Sequence, residues 1–190
     1  EAKIYELTKN LVLRIQVVKQ KNQKTVLQLQ NARENLKIVN EKCPEAAYKL
    51  FYGEGIYDIY EKGITDISII LKNLKIWNNN SSITDIDKNK KLIKLYINLL
   101  IKCIEKIKCI HKQNILHLDI KPENIMIFEG TNEDYDIDLT DYNELRTIKT
   151  SNKGDEIVLP KYLKVKYIDF NLSEKVDNIL TETTVSNKFF

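Results

Sequence analysis

Glycine, proline, cysteine, histidine and methionine are all scarce in these 190 residues, with five, three, three, two and one respectively. So few Gly and Pro exclude collagen-like and proline-rich linker chains. With only His111 and His117, and no Cys-x-x-Cys, a His/Cys metal centre is excluded. Cys43, Cys103 and Cys109 are an odd number without the spacing of a disulfide framework, so free thiols in an intracellular, reducing, cytoplasmic setting are expected. No stretch approaches the roughly 20 apolar residues of a membrane-spanning helix. The chain opens Glu1-Ala2-Lys3 without a basic and then apolar leader, so no secretory signal is expected. Excess charge is missing too. Thirty basic side chains against 27 acidic leave +3, and neither nucleic acid nor an anionic membrane is expected as a partner.

What is present is an ordinary soluble composition, 43% apolar and 30% charged. The length suffices for one good core, or for two small lobes sharing a cleft. The sole methionine is Met126, and neither end carries a start or stop signal, so a piece of a longer polypeptide is expected.

Patterning divides the chain into a strand-rich first part and a helix-rich second part. Residues 3–7 and 11–18 are β-rich around the turn Thr8-Lys9-Asn10 and read as a hairpin. Residues 23–42 carry helix formers and the apolar positions Val26, Leu27, Leu29, Leu36 and Val39, and Cys43-Pro44 ends that helix. Strands are expected at 48–52 and 56–60 around Gly53 and Gly55, then a helix over 65–76 and a polar loop, Asn78 to Ser82. Residues 85–113 give the clearest helix. Ile93, Ile97, Leu100, Ile104, Ile107 and His111 recur at three- and four-residue intervals and read as the buried stripe of a bundle helix. Short strands are expected at 115–117, 125–128 and 163–168. Between the last two, 129–162 begins acidic. Leu139 and Leu145 stand where a calcium loop needs Gly and Glu, so a solvated insertion is the reading.

The chemistry sits in His117-Leu118-Asp119-Ile120-Lys121-Pro122-Glu123-Asn124, between two short strands after the long helix. A carboxylate at Asp119 can accept a proton from an incoming hydroxyl. Lys121 can neutralise charge on a transferring phosphoryl group, and the Asn124 amide oxygen can hold Mg²⁺ without adding charge. Asp169, at the end of a strand in Ile168-Asp169-Phe170-Asn171, supplies a further metal-binding carboxylate. Phosphoryl transfer needs this set, because its catalysis is mostly positioning and charge neutralisation. His111 and His117 read as packing residues that pin the loop.

These residues resemble the eukaryotic-type protein kinase family, whose catalytic loop reads H-R-D-x-K-P-x-x-N and whose metal-binding triplet is D-F-G. Lys121-Pro122-Glu123-Asn124 is similar to the serine/threonine form. The resemblance covers most of the chain. It implies an α+β, two-lobe kinase fold with residues 1–62 as a partial small lobe and 63–190 as a partial large lobe carrying the insertion. It implies ATP and Mg²⁺ as cofactors and a protein substrate bearing Ser or Thr. It also implies that Glu34, nine residues before Cys43-Pro44, is the glutamate of the small-lobe helix, and that Glu61 lies near the hinge where backbone groups meet adenine. The phosphate-binding lysine slot falls on Arg14 if the hairpin turn is tight, or on Lys19 if it is longer, and either would pair with Glu34.

The departures from the family keep other readings open. No Gly-rich loop precedes Ala2-Lys3-Ile4-Tyr5, and Leu118 replaces the Arg of H-R-D, so activity is not expected to be switched by activation-loop phosphate. Asn171 replaces Gly, in a turn Asn can tolerate. Some 44 residues separate Asn124 from Asp169, an insertion of about 30. The family's A-P-E motif and later helices are not in the sequence. A catalytically weak pseudokinase scaffold is the alternative. A small-molecule kinase of the aminoglycoside or choline type shares the Asp-to-Asn spacing, but Lys121-Pro122 argues against it.

Overall fold

The computed structural model describes residues 2–16, 23–79, 86–143, 146–149 and 156–176. Lys19, the second candidate for the lysine slot, lies outside them. The architecture is α+β, and the chain divides into two units. One comprises 1–62, 106–120 and 167–190, the other 63–105 and 121–166. The division is therefore not a single cut after Lys62, because two later segments return to the first unit.

The first unit is built on an antiparallel sheet of β1 (Ala2–Thr8), β2 (Leu11–Gln16), β3 (Leu50–Glu54) and β4 (Tyr57–Glu61), in the order β1-β2-β4-β3. The β1–β2 turn is tight. Thr8 pairs with Leu11, and the Asn10 N–H donates to Thr8 Oγ1, so the register sets Ile4 opposite Arg14 and Arg14 opposite Asp58 of β4. Helix α1 spans Gln23–Lys42, as its apolar spacing predicts, and buries Leu29, Ala32, Leu36 and Val39. Leu27, expected on that stripe, is exposed instead. The same unit holds β6 (Ile115–Leu116), paired antiparallel with β12 (Glu174–Lys175).

One expectation about the cysteines is overturned. Cys43, just after α1, and Cys109 are joined by a disulfide across 66 residues of sequence, and Cys103 stands outside it. Sequence spacing could not show this pairing, because it depends on the end of α1 meeting the long helix α3 (Ile86–His111).

The second unit packs α2 (Ile67–Asn79) and most of α3 with a sheet of β5 (Thr65–Asp66), β7 (Ile125–Glu129), β8 (Ile137–Asp138) and β11 (Tyr162–Tyr167), in the order β5-β7-β11-β8. Two sequence readings change here. The stretch 129–162 is not simply a solvated insertion. It contains β8 and a hairpin of β9 (Thr147–Lys149) with β10 (Glu156–Val158), and it buries Ile137, Leu139, Ile148 and Leu159. Asn73 of α2 holds the hairpin as a strand would, its amide donating to the Lys149 carbonyl at 3.0 Å and accepting the Lys149 N–H at 2.9 Å.

The second change concerns α3, whose buried face is Leu92, Leu95, Leu99 and Ile110. Ile93, Ile97, Leu100 and Ile104 are exposed. Two apolar stripes run along this helix, both at helical spacing, and periodicity alone cannot say which one meets the sheet. Among the described residues no helix is long and apolar enough to cross a membrane.

Candidate active site

In the first unit two segments far apart in sequence meet at one imidazole. His117 is fully buried. Its Nε2 lies 2.8 Å from the carbonyl of Ile168, the residue before Asp169, and its Nδ1 lies 3.3 Å from the backbone nitrogen of Asp119. The Asp119 N–H must donate to an unprotonated Nδ1, so Nε2 carries the proton and donates to Ile168. Burial, the largest influence, lowers the His117 pKa, while the Ile168 carbonyl and the carboxylates of Asp169 and Asp119 oppose it. The ring is thus a neutral two-ended pin, between loops that each carry an acidic residue. Its face is closed by Phe170 at 4.9 Å between ring centroids and by Tyr167 at 5.5 Å.

Both loops hold a non-glycine residue in left-handed backbone conformation, Leu118 and Asp169, each with φ of 60°. Asp169 caps a 3-10 turn, Phe170–Leu172, and Phe170 inside that turn is buried. Such conformations persist only where their surroundings impose them, and they gather at functional sites. Asp tolerates this region better than most residues, which suits it to the turn.

The tight β1–β2 turn delivers Arg14 to Asp169. Arg14 Nη1 lies 3.6 Å from Asp169 Oδ1 and 3.4 Å from Asn171 Oδ1. Burial would lower the Arg14 pKa, but the Asp169 carboxylate and the hydroxyls of Tyr48 and Tyr60 outweigh it, and the guanidinium stays charged. Those two rings pack against each other at a tilt of 32°, with centroids 4.4 Å apart. Burial, and then Asp58, pushes the Tyr60 hydroxyl up to about 12, so it remains a neutral donor. Asp169 Oδ1 is buried and accepts no hydrogen bond. A buried carboxylate oxygen with spare acceptor capacity suits a hard cation such as Mg²⁺. Among the described residues no cluster of three or more His, Cys, Asp or Glu is placed to hold a metal ion.

The structure does not bring Glu34 to Arg14. Glu34 is exposed on α1, and the ion-pair partner of Arg14 is Asp169. The reason is helical geometry, because successive residues turn by about 100° and both neighbours of Glu34 are used inward. Arg33 Nε donates to Asp58 Oδ1 at 2.6 Å, and Asn35 faces Ser173, just after the Asp169 turn. Glu61 ends β4 with its N–H donated to the Lys49 carbonyl and its carboxylate accepting the Lys49 N–H, so that N–H is not offered to a base.

Arg33, Asn35, Asp58 and Ser173 escaped the sequence reading. The one signal was an Asn at position 35 inside an apolar stripe, where an unpaired amide would be costly.

In the second unit the catalytic-loop motif continues. Lys121 is exposed and precedes a 3-10 turn, Pro122–Asn124, whose Asn124 N–H donates to the Lys121 carbonyl at 2.9 Å. Asn124 is buried at the start of β7.

Comparison with known proteins agrees with the motif. A family model described as poxvirus serine/threonine protein kinase matches residues 75–188, more than half of the chain. The serine/threonine-protein kinase KSP1 of Saccharomyces cerevisiae is 35% identical over 88 residues, 45% of this chain and 8% of that protein. A probable serine/threonine-protein kinase of Dictyostelium discoideum is 31% identical over 122 residues, 62% of this chain and 7% of that one. The chain therefore spans less than a tenth of these relatives. A crystal structure of a kinase domain aligns with 92% of this chain and 48% of its own, at 19% identity and a TM-score of 0.48.

Proposed function

Because the chain belongs to the poxvirus serine/threonine protein kinase family, we propose that it transfers the γ-phosphoryl group of ATP to serine or threonine hydroxyls of a protein substrate. The observation that carries this is the His117 pin. One buried imidazole fixes the backbone of Asp119 and the carbonyl preceding Asp169, so the proton acceptor and the metal-binding carboxylate share one support. Asp119 orients the substrate hydroxyl and takes its proton. Lys121, two residues on, steadies the transferring phosphoryl group. The metal ligands are proposed unit by unit, Asp169 in the first and Asn124 in the second. Bound Mg²⁺ supplies neutralisation of phosphate charge. Arg14 is proposed for the phosphate-binding slot, with Lys19 as the alternative. Arginine presents a planar fork where lysine presents a point charge, so the two are not equivalent there.

The Arg14–Asp169 pair also favours a second reading, a pseudokinase scaffold. A fixed cation already neutralises the carboxylate meant for metal, and an arginine is poorly shaped for the slot. Radiolabelled ATP and a Ser/Thr-rich acceptor protein decide between the two. The kinase reading expects transfer that falls by about 10²- to 10⁴-fold in Asp119→Ala, the usual range for losing a general base. Equal transfer by both proteins removes Asp119 from its role. Nucleotide binding without transfer, with transfer appearing in Arg14→Lys, selects the scaffold.

A further inference from the structure

The end of the Asp169 turn is tied to α1 by a buried polar chain. Asn35 is 3% exposed and Ser173 is 4% exposed. Asn35 Nδ2 donates to the Ser173 carbonyl at 3.0 Å and to Ser173 Oγ at 3.1 Å. Ser173 Oγ donates in turn to the Phe170 carbonyl at 2.7 Å, and the Ser173 N–H reaches that same oxygen at 2.9 Å. The donor count closes. The Phe170 carbonyl can only accept and the Asn35 NH2 can only donate, so the hydroxyl gives its one proton to Phe170 and receives from Asn35 on a lone pair, which fixes its direction. Four bonds thus converge on the four residues after Asp169, and the amide that orients them comes from a helix 138 residues earlier in sequence.

We infer that Asn35 is the positioning residue through which α1 holds Asp169 in its left-handed conformation. Asp169 has no side-chain cap bond of its own, at φ 60° and ψ 67°, so the strain of that backbone must be offset by contacts of the residues from Phe170 to Ser173. Phe170 packing against Tyr48 and His117 supplies one restraint, and the Asn35–Ser173 clamp supplies the directional one. The link has no charge, whereas the expected Glu34 contact would have been ionic. Its functional meaning rests on the kinase reading, since only there does the orientation of Asp169 matter to a reaction. The clamp itself can be tested without activity.

The test is site-resolved amide hydrogen exchange on Asn35→Ala, on Ser173→Ala and on the doubly substituted chain, with Leu29→Ala as a control that damages the buried face of α1 elsewhere. Removal of Asn35 is expected to speed exchange at the Ser173 amide by about tenfold, the effect of losing a buried hydrogen bond on local opening. Amides of Leu13 in β2 and Ile110 in α3 should stay unchanged. The double variant should exchange no faster than Asn35→Ala, because both changes break the same chain. If Leu29→Ala speeds the Ser173 amide as much as Asn35→Ala does, or if the two single effects multiply, the clamp is ordinary packing and the inference fails. Should Asn35→Ala fold poorly, Ser173→Ala alone decides through the Phe170–Ser173 amides. Phosphoryl transfer is measured in parallel, with kcat expected to fall about tenfold in Asn35→Ala at unchanged KM for ATP. Absence of transfer in the unaltered protein would refute the kinase reading while the exchange data still judged the clamp.

Discussion

Breaking the Arg33–Asp58 ion pair should be among the most damaging single changes available in this fold. The pair joins α1 to β4, with Nε 2.6 Å from Oδ1 and side chains 8% and 2% exposed. Removing one partner of such a pair strands the other as a buried charge, at about 3–5 kcal/mol. Local geometry sets where each variant falls. In Asp58→Ala the guanidinium keeps the Gly55 carbonyl at 2.9 Å and the Tyr57 carbonyl at 3.3 Å, so the loss should lie near the lower end, about 3 kcal/mol. That is a large share of the roughly 5–15 kcal/mol by which domains are stable. The doubly substituted Arg33→Met, Asp58→Leu chain should recover to within about 1 kcal/mol of the parent, since apolar replacements of similar volume remove both desolvation penalties. Gly53 belongs to the same unit of packing. A Cβ there would lie 2.8 Å from both Arg33 Nε and Asp58 Oδ1, which only glycine avoids. Urea unfolding followed by far-ultraviolet circular dichroism measures Asp58→Ala, the double variant and its two component singles, Arg33→Met and Asp58→Leu. A loss below about 1 kcal/mol in Asp58→Ala, or a double variant as unstable as the sum of the singles, would show that this pair is not the buried anchor its geometry describes.

Two further outcomes concern the same unit. His117 is held neutral by burial, so its folded pKa lies below the unfolded value of about 6.5. Its contribution to stability should be complete above about pH 6.5 and fade as pH falls from there through the lower folded value; unfolding measured from pH 7.5 to 5.0 should lose this slope in His117→Gln, and an unchanged slope would refute the assignment. Reducing the Cys43–Cys109 disulfide, which closes a 66-residue separation, should destabilise by up to about 4 kcal/mol on chain-entropy grounds; Cys43→Ser should match the reduced parent, and no shift with dithiothreitol in the parent would count against the bond.

The legible part of this protein was its local chemistry. Helix α1 emerged over the residues its spacing predicted, because a single apolar stripe ends at Cys43-Pro44 and nothing competes with it. The run from His117 to Asn124 was readable as a family signature because its residue types at that spacing have few other uses. What stayed hidden depended on choices made between segments. The orientation of α3 could not be read because that helix is apolar on two faces. The disulfide could not be read because Cys43 and Cys109 are brought together only by packing of α1 and α3. Glu34 was singled out by its distance from a proline, but a count of residues fixes height along a helix and not rotation about it. Arg33 and Asn35 take the inward directions, so Glu34 is left outside.

Leu118 shows how backbone and side chain divide the work at this site. A leucine at φ 60° bears the steric penalty of Cβ against the backbone, about 1–2 kcal/mol, and its side chain, 52% exposed, recovers little of it by burial. The return lies one residue later, where the turned chain aims the Asp119 N–H at His117 Nδ1. His117 then passes the restraint to the Ile168 carbonyl, immediately before the second left-handed residue, Asp169. Leu118 and Asp169 therefore stand at opposite ends of one hydrogen-bonded path with the ring between them. The exposed Leu118 side chain takes no part in that path, which runs through the backbone of Asp119 and the His117 ring.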